Sequence, residues 1–172
     1  MKYSRKDLLQ LPERHLSFDE EIVFEEDTYK KFPRIRKLRN VRAKGDGDYD
    51  AADQRLYINL RVTGTMTCPC DITGEDVDID FDSEADEIIS FNKKDFENIE
   101  ILQAEGEYIE LLPIIFRQIL VEVPITVVKP GVIDYPKGEG WQVMDEATYQ
   151  KNKAGKVNPA LAALKDYIPQ DE

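Results

Sequence analysis

The chain has 172 residues and a formal net charge of −12, and 34% of its residues are charged. A field of this sign repels nucleic acid and anionic membranes at long range, so RNA contact would need a local basic patch or a protein intermediary, and a basic protein partner is electrostatically easier. Two cysteines and one histidine exclude a disulfide scaffold and indicate a reducing compartment. No apolar run is long enough for a membrane span and no signal peptide is recognisable, so we expect a cytoplasmic protein with no membrane partner.

The length predicts one domain covering residues 1–172. At the N-terminus, Ser4 is a suitable cap for a short helix over residues 5–11, which Pro12 ends. The apolar run at residues 22–24, between two acidic triplets, predicts a short strand.

Residues 34–44 are dense in arginine and lysine inside an otherwise acidic chain. Their apolar spacing is compatible with either a helix or an irregular strand. Arg34, Arg36 and Arg39 are candidates for contact with RNA phosphate, and the alternative is that they neutralise acids of the chain itself. Glycine and polar residues at 44–50 predict a loop.

The clearest pattern lies in residues 55–81, where apolar and polar residues alternate on either side of a turn at residues 71–74. This alternation predicts two paired strands with one apolar face each. On the second strand the other face consists of carboxylates, from Asp76, Asp78, Asp80 and Asp82. The spacing of these four residues resembles a calcium loop, but Phe81 stands where that loop requires glycine. An acidic face for a basic protein partner and a merely solvated face remain the two interpretations.

Cys68 and Cys70 flank a proline at the end of the first strand. Two thiolates can begin a metal site, but zinc needs about four ligands and the chain has no second cysteine pair. Thiol chemistry would require a lowered pKa, whereas the simpler interpretation is one small buried thiol followed by a turn residue. We therefore expect no metal and no cofactor.

Residues 112–123 predict the main, largely buried helix, because Pro113 suits its first turn and Pro124 its end. Trp141 is a candidate interface anchor, with a core or lid aromatic as the alternative. Asn158 and the following proline predict a short closing helix up to residue 167. The expected fold is therefore α+β, with a curved or barrel-like antiparallel sheet, one buried helix and short terminal helices.

The sequence contains no glycine-rich phosphate loop, no nucleophile elbow and no metal-binding histidine pair, so we expect neither an enzyme nor a small-molecule substrate. The order of four features resembles that of the YceD family. They are the cysteine-containing turn after residue 62, the acidic approach to the helix at 107–112, the helix ending at Pro124 and the Asn-Pro at 158–159. The family tends to have Cys-x-x-Cys where this chain has Cys68-Pro69-Cys70, and many members carry further cysteines that residues 127–135 lack.

The resemblance implies a non-enzymatic role in the synthesis, processing or stability of large-subunit ribosomal RNA. The expected partner is a large-subunit ribosomal protein or assembly factor that contacts the acidic surface, with indirect or weak ribosomal RNA contact. Two alternatives stay open, namely a metal- or thiol-dependent protein using Cys68 and Cys70, and a direct RNA binder using residues 34–44.

Overall fold

The structure is a computed structural model that describes residues 1–131, 135–144 and 146–154. The chain divides into two compact units, Met1–Lys129 and Pro130–Glu172. The single domain over residues 1–172 stays a prediction. Among the described residues, none of the helices has the length and apolar character needed to cross a membrane.

The first unit contains most of the regular structure. Its elements are β1 (Lys2–Ser4), α1 (Arg5–Gln10), β2 (His15–Ile22), α2 (Glu26–Tyr29), β3 (Lys37–Asp50), β4 (Arg55–Pro69), β5 (Asp76–Ser90), β6 (Ile101–Gln103), β7 (Tyr108–Glu110) and α3 (Leu111–Val121). Short 3-10 turns lie at Pro12–Arg14 and Lys93–Glu97. The predicted first helix is confirmed as α1, since the Ser4 hydroxyl and the Asp7 carboxylate form a reciprocal capping box at its start.

The main sheet has the strand order β2-β3-β4-β5-β6. The first three pairings are antiparallel, and β5 pairs with β6 in parallel over three residues. The α+β class is therefore confirmed, while the sheet is mixed and is not closed into a barrel. Of the strand predicted at residues 22–24, only Ile22 lies in a strand, where it ends β2; residues 23–24 follow the strand, and the acidic residues before Ile22 belong to it.

Residues 37–44 of the basic run belong to β3 and residues 34–36 precede it, whereas the loop predicted at residues 44–50 is wrong. β3 continues to Asp50, and its glycines are required by close packing: a Cβ on Gly45 would lie 2.3 Å from the Phe18 ring, and one on Gly47 would lie 2.3 Å from the Tyr57 carbonyl oxygen. The ambiguous apolar spacing has its own cause. A bulge between Arg39 and Arg42 adds one residue to β3, so that residues three apart can face the same side.

The inner face of the sheet, defined as the side that carries the apolar residues, packs against α1 and α3. In β4 it consists of Leu56, Ile58, Leu60, Val62, Met66 and Cys68, all of which are buried as predicted. Helix α3 confirms the predicted main helix, and Leu111, Ile115 and Ile119 on it are fully buried. A polar side chain also links α3 to β4: Gln118 Nε2 donates to the Leu60 carbonyl oxygen at 3.1 Å.

The second unit contains a small hairpin of β8 (Lys137–Gly138) and β9 (Trp141–Gln142), followed by α4 (Glu146–Ala154). Trp141 packs over Gly138 and is 57% exposed. It is therefore not a core residue of the described part of this unit. The closing helix predicted after Asn158 lies outside the described residues.

Candidate protein-binding face

The outer face is the opposite side of β3, β4 and β5, formed by alternate side chains that point away from the core. Its members on β3 and β4 are Lys37, Arg39, Arg42, Lys44, Asp46, Asp48, Asp50, Tyr57, Asn59, Arg61, Thr63, Thr65 and Thr67. On β5 it carries a carboxylate row of Asp76, Asp78, Asp80, Asp82, Glu84 and Asp86, all exposed. The strand period of two places all six carboxylates on this side.

Side chains of β4 hold several of these carboxylates in place. Thr67 Oγ1 donates to Asp78 Oδ1 at 2.6 Å, and Thr65 Oγ1 donates to Asp80 Oδ1 at 2.7 Å. The hydroxyl of Thr67, together with the nearby Arg39, lowers the pKa of Asp78 below its ordinary value. Hydrogen bonds to the ionised form thus keep this part of the row charged.

Two arginines from the start of β3 and the residue before it reach the same row across β4. Arg36 pairs with Asp76, and Arg39 Nη2 lies 2.5 Å from Asp78 Oδ2. The structure therefore brings together two sets of residues that are far apart in sequence, the basic run and the acidic strand. These pairings correspond to the neutralisation alternative, although the partner-binding role of either set stays a prediction.

The row nevertheless remains acidic. Arg61 pairs with Asp82 through two hydrogen bonds of 2.6 and 2.8 Å and lowers the pKa of that carboxyl. In the described part of the chain, no salt bridge joins Asp80, Glu84 or Asp86 to a cation. These three carboxylates can accept hydrogen bonds from an incoming cation without displacing an arginine of the chain.

Sequence reasoning missed Glu84 and Asp86 as members of this face, and it did not identify Arg61 as the partner of Asp82. Residues 84–87 form part of one continuous strand, β5, whereas the sequence analysis ended the acidic strand near Asp82. The signal was present, because the alternation of charged and uncharged residues continues through Asp86.

The two cysteines lie in opposite environments. Cys68 is the last inner-face residue of β4 and is fully buried, and this burial raises the pKa of its thiol. Cys70 is 2% exposed in the following turn, where the Thr73 hydroxyl and the backbone N–H groups of Thr73, Lys129 and Ile72 lower its pKa to about 7. Among the described residues, no group of three or more histidine, cysteine or acidic side chains is placed to hold a metal ion.

Arg34 does not join the outer face but holds this cysteine-containing turn. Its guanidinium donates to both carboxylate oxygens of Asp71 at 2.8 Å and to the Ile125 carbonyl oxygen at 2.6 Å. The Val127 N–H also donates to Asp71 Oδ2 at 2.8 Å, and the Lys129 N–H donates to the Cys70 sulfur at 3.4 Å. Arg34 therefore connects the turn to the segment that follows α3.

The first unit thus defines an α+β protein built on an open sheet with one apolar and one charged face. The sequence profile of the family described as large ribosomal RNA subunit accumulation protein YceD matches residues 58–167, more than half of the chain, and the chain belongs to this family. It is also similar to the uncharacterized protein YlbN of Bacillus subtilis (strain 168), with 30% identity over 178 residues, covering 100% of this chain and 99% of YlbN. No solved structure matches the chain.

Proposed function

We propose that this protein is a non-enzymatic, cytoplasmic ribosome-biogenesis factor that supports the synthesis, processing or stability of large-subunit ribosomal RNA. The family description supports the general role. In our proposal the protein acts through contacts with a large-subunit ribosomal protein or assembly factor, and contact with ribosomal RNA is indirect or weak.

The observation that carries the protein-contact mechanism is the carboxylate row on β5. Asp80, Glu84 and Asp86, which form no salt bridge with the described residues, lie exposed on the outer side of β5. Such an arrangement attracts a basic partner and excludes phosphate by like-charge repulsion. Direct RNA contact through residues 34–44 has less support, because Arg34, Arg36 and Arg39 are each paired with an aspartate.

The test is a pull-down of the tagged full-length chain from native lysate at moderate salt, with and without nuclease, reading both protein and RNA. We expect large-subunit components to be recovered after nuclease treatment. Recovery that disappears with nuclease would transfer the mechanism to RNA contact, and absence of ribosomal material would contradict the proposed function.

Matched variants make the pull-down specific for the row. Replacing Asp80, Glu84 and Asp86 by their amides removes three negative charges from it, and we expect recovery to fall. The control triple variant Glu25→Gln, Glu26→Gln, Asp27→Asn removes the same charge from the exposed connection between β2 and β3. Equal recovery with both variants would show that net charge rather than the row determines binding.

A cellular readout tests the role in RNA accumulation separately. Depletion of the protein should lower the amount of large-subunit relative to small-subunit ribosomal RNA. The variant with Asp80, Glu84 and Asp86 replaced by their amides, called the β5 amide variant, should restore this ratio less well than the control variant does. Unchanged RNA levels after depletion would contradict the biogenesis role.

A further inference from the structure

We propose that residues 76–87 of β5 form an open edge to which a basic, extended segment of a protein partner adds as a further strand. This inference rests on the proposed function, and it specifies the class of partner segment and the way it is bound. β4 pairs with β5 along its full length from Asp76 to Ser90, whereas β6 pairs only with Ile88–Ser90. In the part of the chain that the structure describes, the other side of residues 76–87 has no strand neighbour.

Of the inner side chains of this edge, Phe81 is buried in the core, and most of the others are only partly covered. Val77, Ile79 and Ala85 are half-buried, although they lie on the same side as the core. Their partners across the strand pair, Cys68, Met66 and Leu60, are fully buried. An added strand with small apolar residues on its inner side would cover this remaining apolar surface.

The outer side of the edge selects the charge of the added strand. Carboxylates recur at every second residue from Asp76 to Asp86, about 7 Å apart along the strand. A strand with lysine or arginine at every second residue would place cations opposite them, and such cross-strand pairs are favourable. A second copy of β5 would place carboxylates opposite carboxylates, which is unfavourable. The segment that fits is therefore basic and belongs to a different protein.

The other long edge of the sheet lacks these properties. On β2 the inner positions are the buried Leu16, Phe18 and Ile22, but Glu20 stands among them and is exposed. A charged residue at an inner position is a known means of opposing strand addition. On β5 the corresponding acid is Glu87, which pairs with Arg117 at 2.6 Å and marks the end of the open edge.

The test uses the full-length protein and a synthetic peptide that spans the open edge, alternates lysine and valine, and has blocked termini. A second peptide of the same sequence carries N-methyl groups at alternate residues, which keeps its charge but prevents main-chain pairing. Because main-chain hydrogen bonds supply affinity in strand addition, we expect the methylated peptide to bind at least about tenfold more weakly. The unmodified peptide should also slow amide exchange in β5 more than in β2.

The β5 amide variant should bind the unmodified peptide more weakly than the control variant in residues 25–27. Equal binding of the two peptides would overturn the proposal, because charge attraction alone would then explain it. If the wild-type chain recovers large-subunit proteins but the peptide does not slow exchange of the backbone N–H groups of β5, the proposed function stands and strand addition is wrong. If the peptide adds to β5 but no ribosomal protein is recovered, the edge is real and the proposed function is wrong.

Discussion

Alternate residues of the same strands lie on the two faces of the sheet, and the two faces differ in what they contribute to stability. On β4, Leu60 and Val62 are fully buried against the core, whereas Arg61 between them is exposed and pairs with Asp82. Burial of an apolar side chain of this size contributes about 1.5–3 kcal/mol to folding. An exposed ion pair contributes about 0–1 kcal/mol. Most of the stability therefore comes from the inner face.

Charges on the outer face can change with little effect on the free energy of unfolding, so they are open to selection for binding. Variants of the carboxylate row can be compared with the wild-type protein as folded proteins.

Replacement of an inner-face residue should cause the largest loss. We expect Leu60→Ala to lower the free energy of unfolding by about 2–5 kcal/mol, because it leaves a cavity beneath α3. Arg61→Ala is the control on the same strand, and its effect should be within about 1 kcal/mol. Urea denaturation measures both. Similar losses for the two variants would contradict the division between the faces.

Gly47→Ala should have the next largest effect. Its Cβ would meet the Tyr57 carbonyl oxygen at 2.3 Å, and this backbone atom cannot move without disturbing the pairing of β3 with β4. We expect a loss of about 1–3 kcal/mol in the free energy of unfolding. The exposed neighbour Asp46→Ala is the control and should change it much less. An unchanged stability for Gly47→Ala would show that the two strands separate easily at this point.

The inner face of β4 and the main helix could be predicted from the sequence because strict periodicity depends only on local residues. The same holds for the capping of α1 by Ser4. The course of β3 could not be predicted in this way. Glycines in a short polar segment locally indicate a loop. In the fold, Gly45 and Gly47 are required because residues of β2 and β4 leave no room for a Cβ there.

The acidic residues of the candidate site could be predicted from the sequence, but the arginines that pair with them could not. The alternation at Asp76–Asp82 identified the carboxylates, but the partners of Asp76 and Asp78 are arginines about forty residues away, brought close by the strand register. The opposite environments of Cys68 and Cys70 also depend on the fold. The Lys129 N–H that faces the Cys70 sulfur belongs to a segment after α3 that approaches the turn only in the folded chain.

A third prediction concerns a carboxylate that is less exposed than those of the outer face. Asp95 accepts two hydrogen bonds from Arg55, at 2.7 and 2.9 Å, and one from Ser90 Oγ at 2.6 Å. These contacts lower its pKa to about 2. Since the folded-state pKa is depressed, the stabilisation is complete above the unfolded value of about 4 and is lost as the pH falls through about 2.

We therefore expect Asp95→Asn to lower the Tm by roughly 2–4 °C at neutral pH. The gap from the wild-type protein should narrow as the pH falls from about 4 to about 2. Asp82→Asn is the control from the outer face, because it also removes a carboxylate paired with arginine but an exposed one. Thermal unfolding across this pH range measures both. A gap that stays constant with pH would contradict a stabilising role of the ionised Asp95 carboxylate.

The smallest expected effect lies where the alternation of faces ends, at the two cysteines. The ultraviolet absorbance of thiolate should rise with an apparent pKa of about 7 from Cys70, and only above the ordinary thiol range from Cys68. Cys70→Ser should remove the first transition and Cys68→Ser should leave it.

Because the Thr73 hydroxyl is the largest cause of the lowered pKa, Thr73→Val should move the transition upward, towards the ordinary value of 9.0. The exposed Asp71–Gly74 turn can accept this change with little loss of stability, since the Arg34 contact to Asp71 remains. If the transition instead disappeared with Cys68→Ser, the assignment of the two environments would be reversed, and the inner face would not end at Cys68.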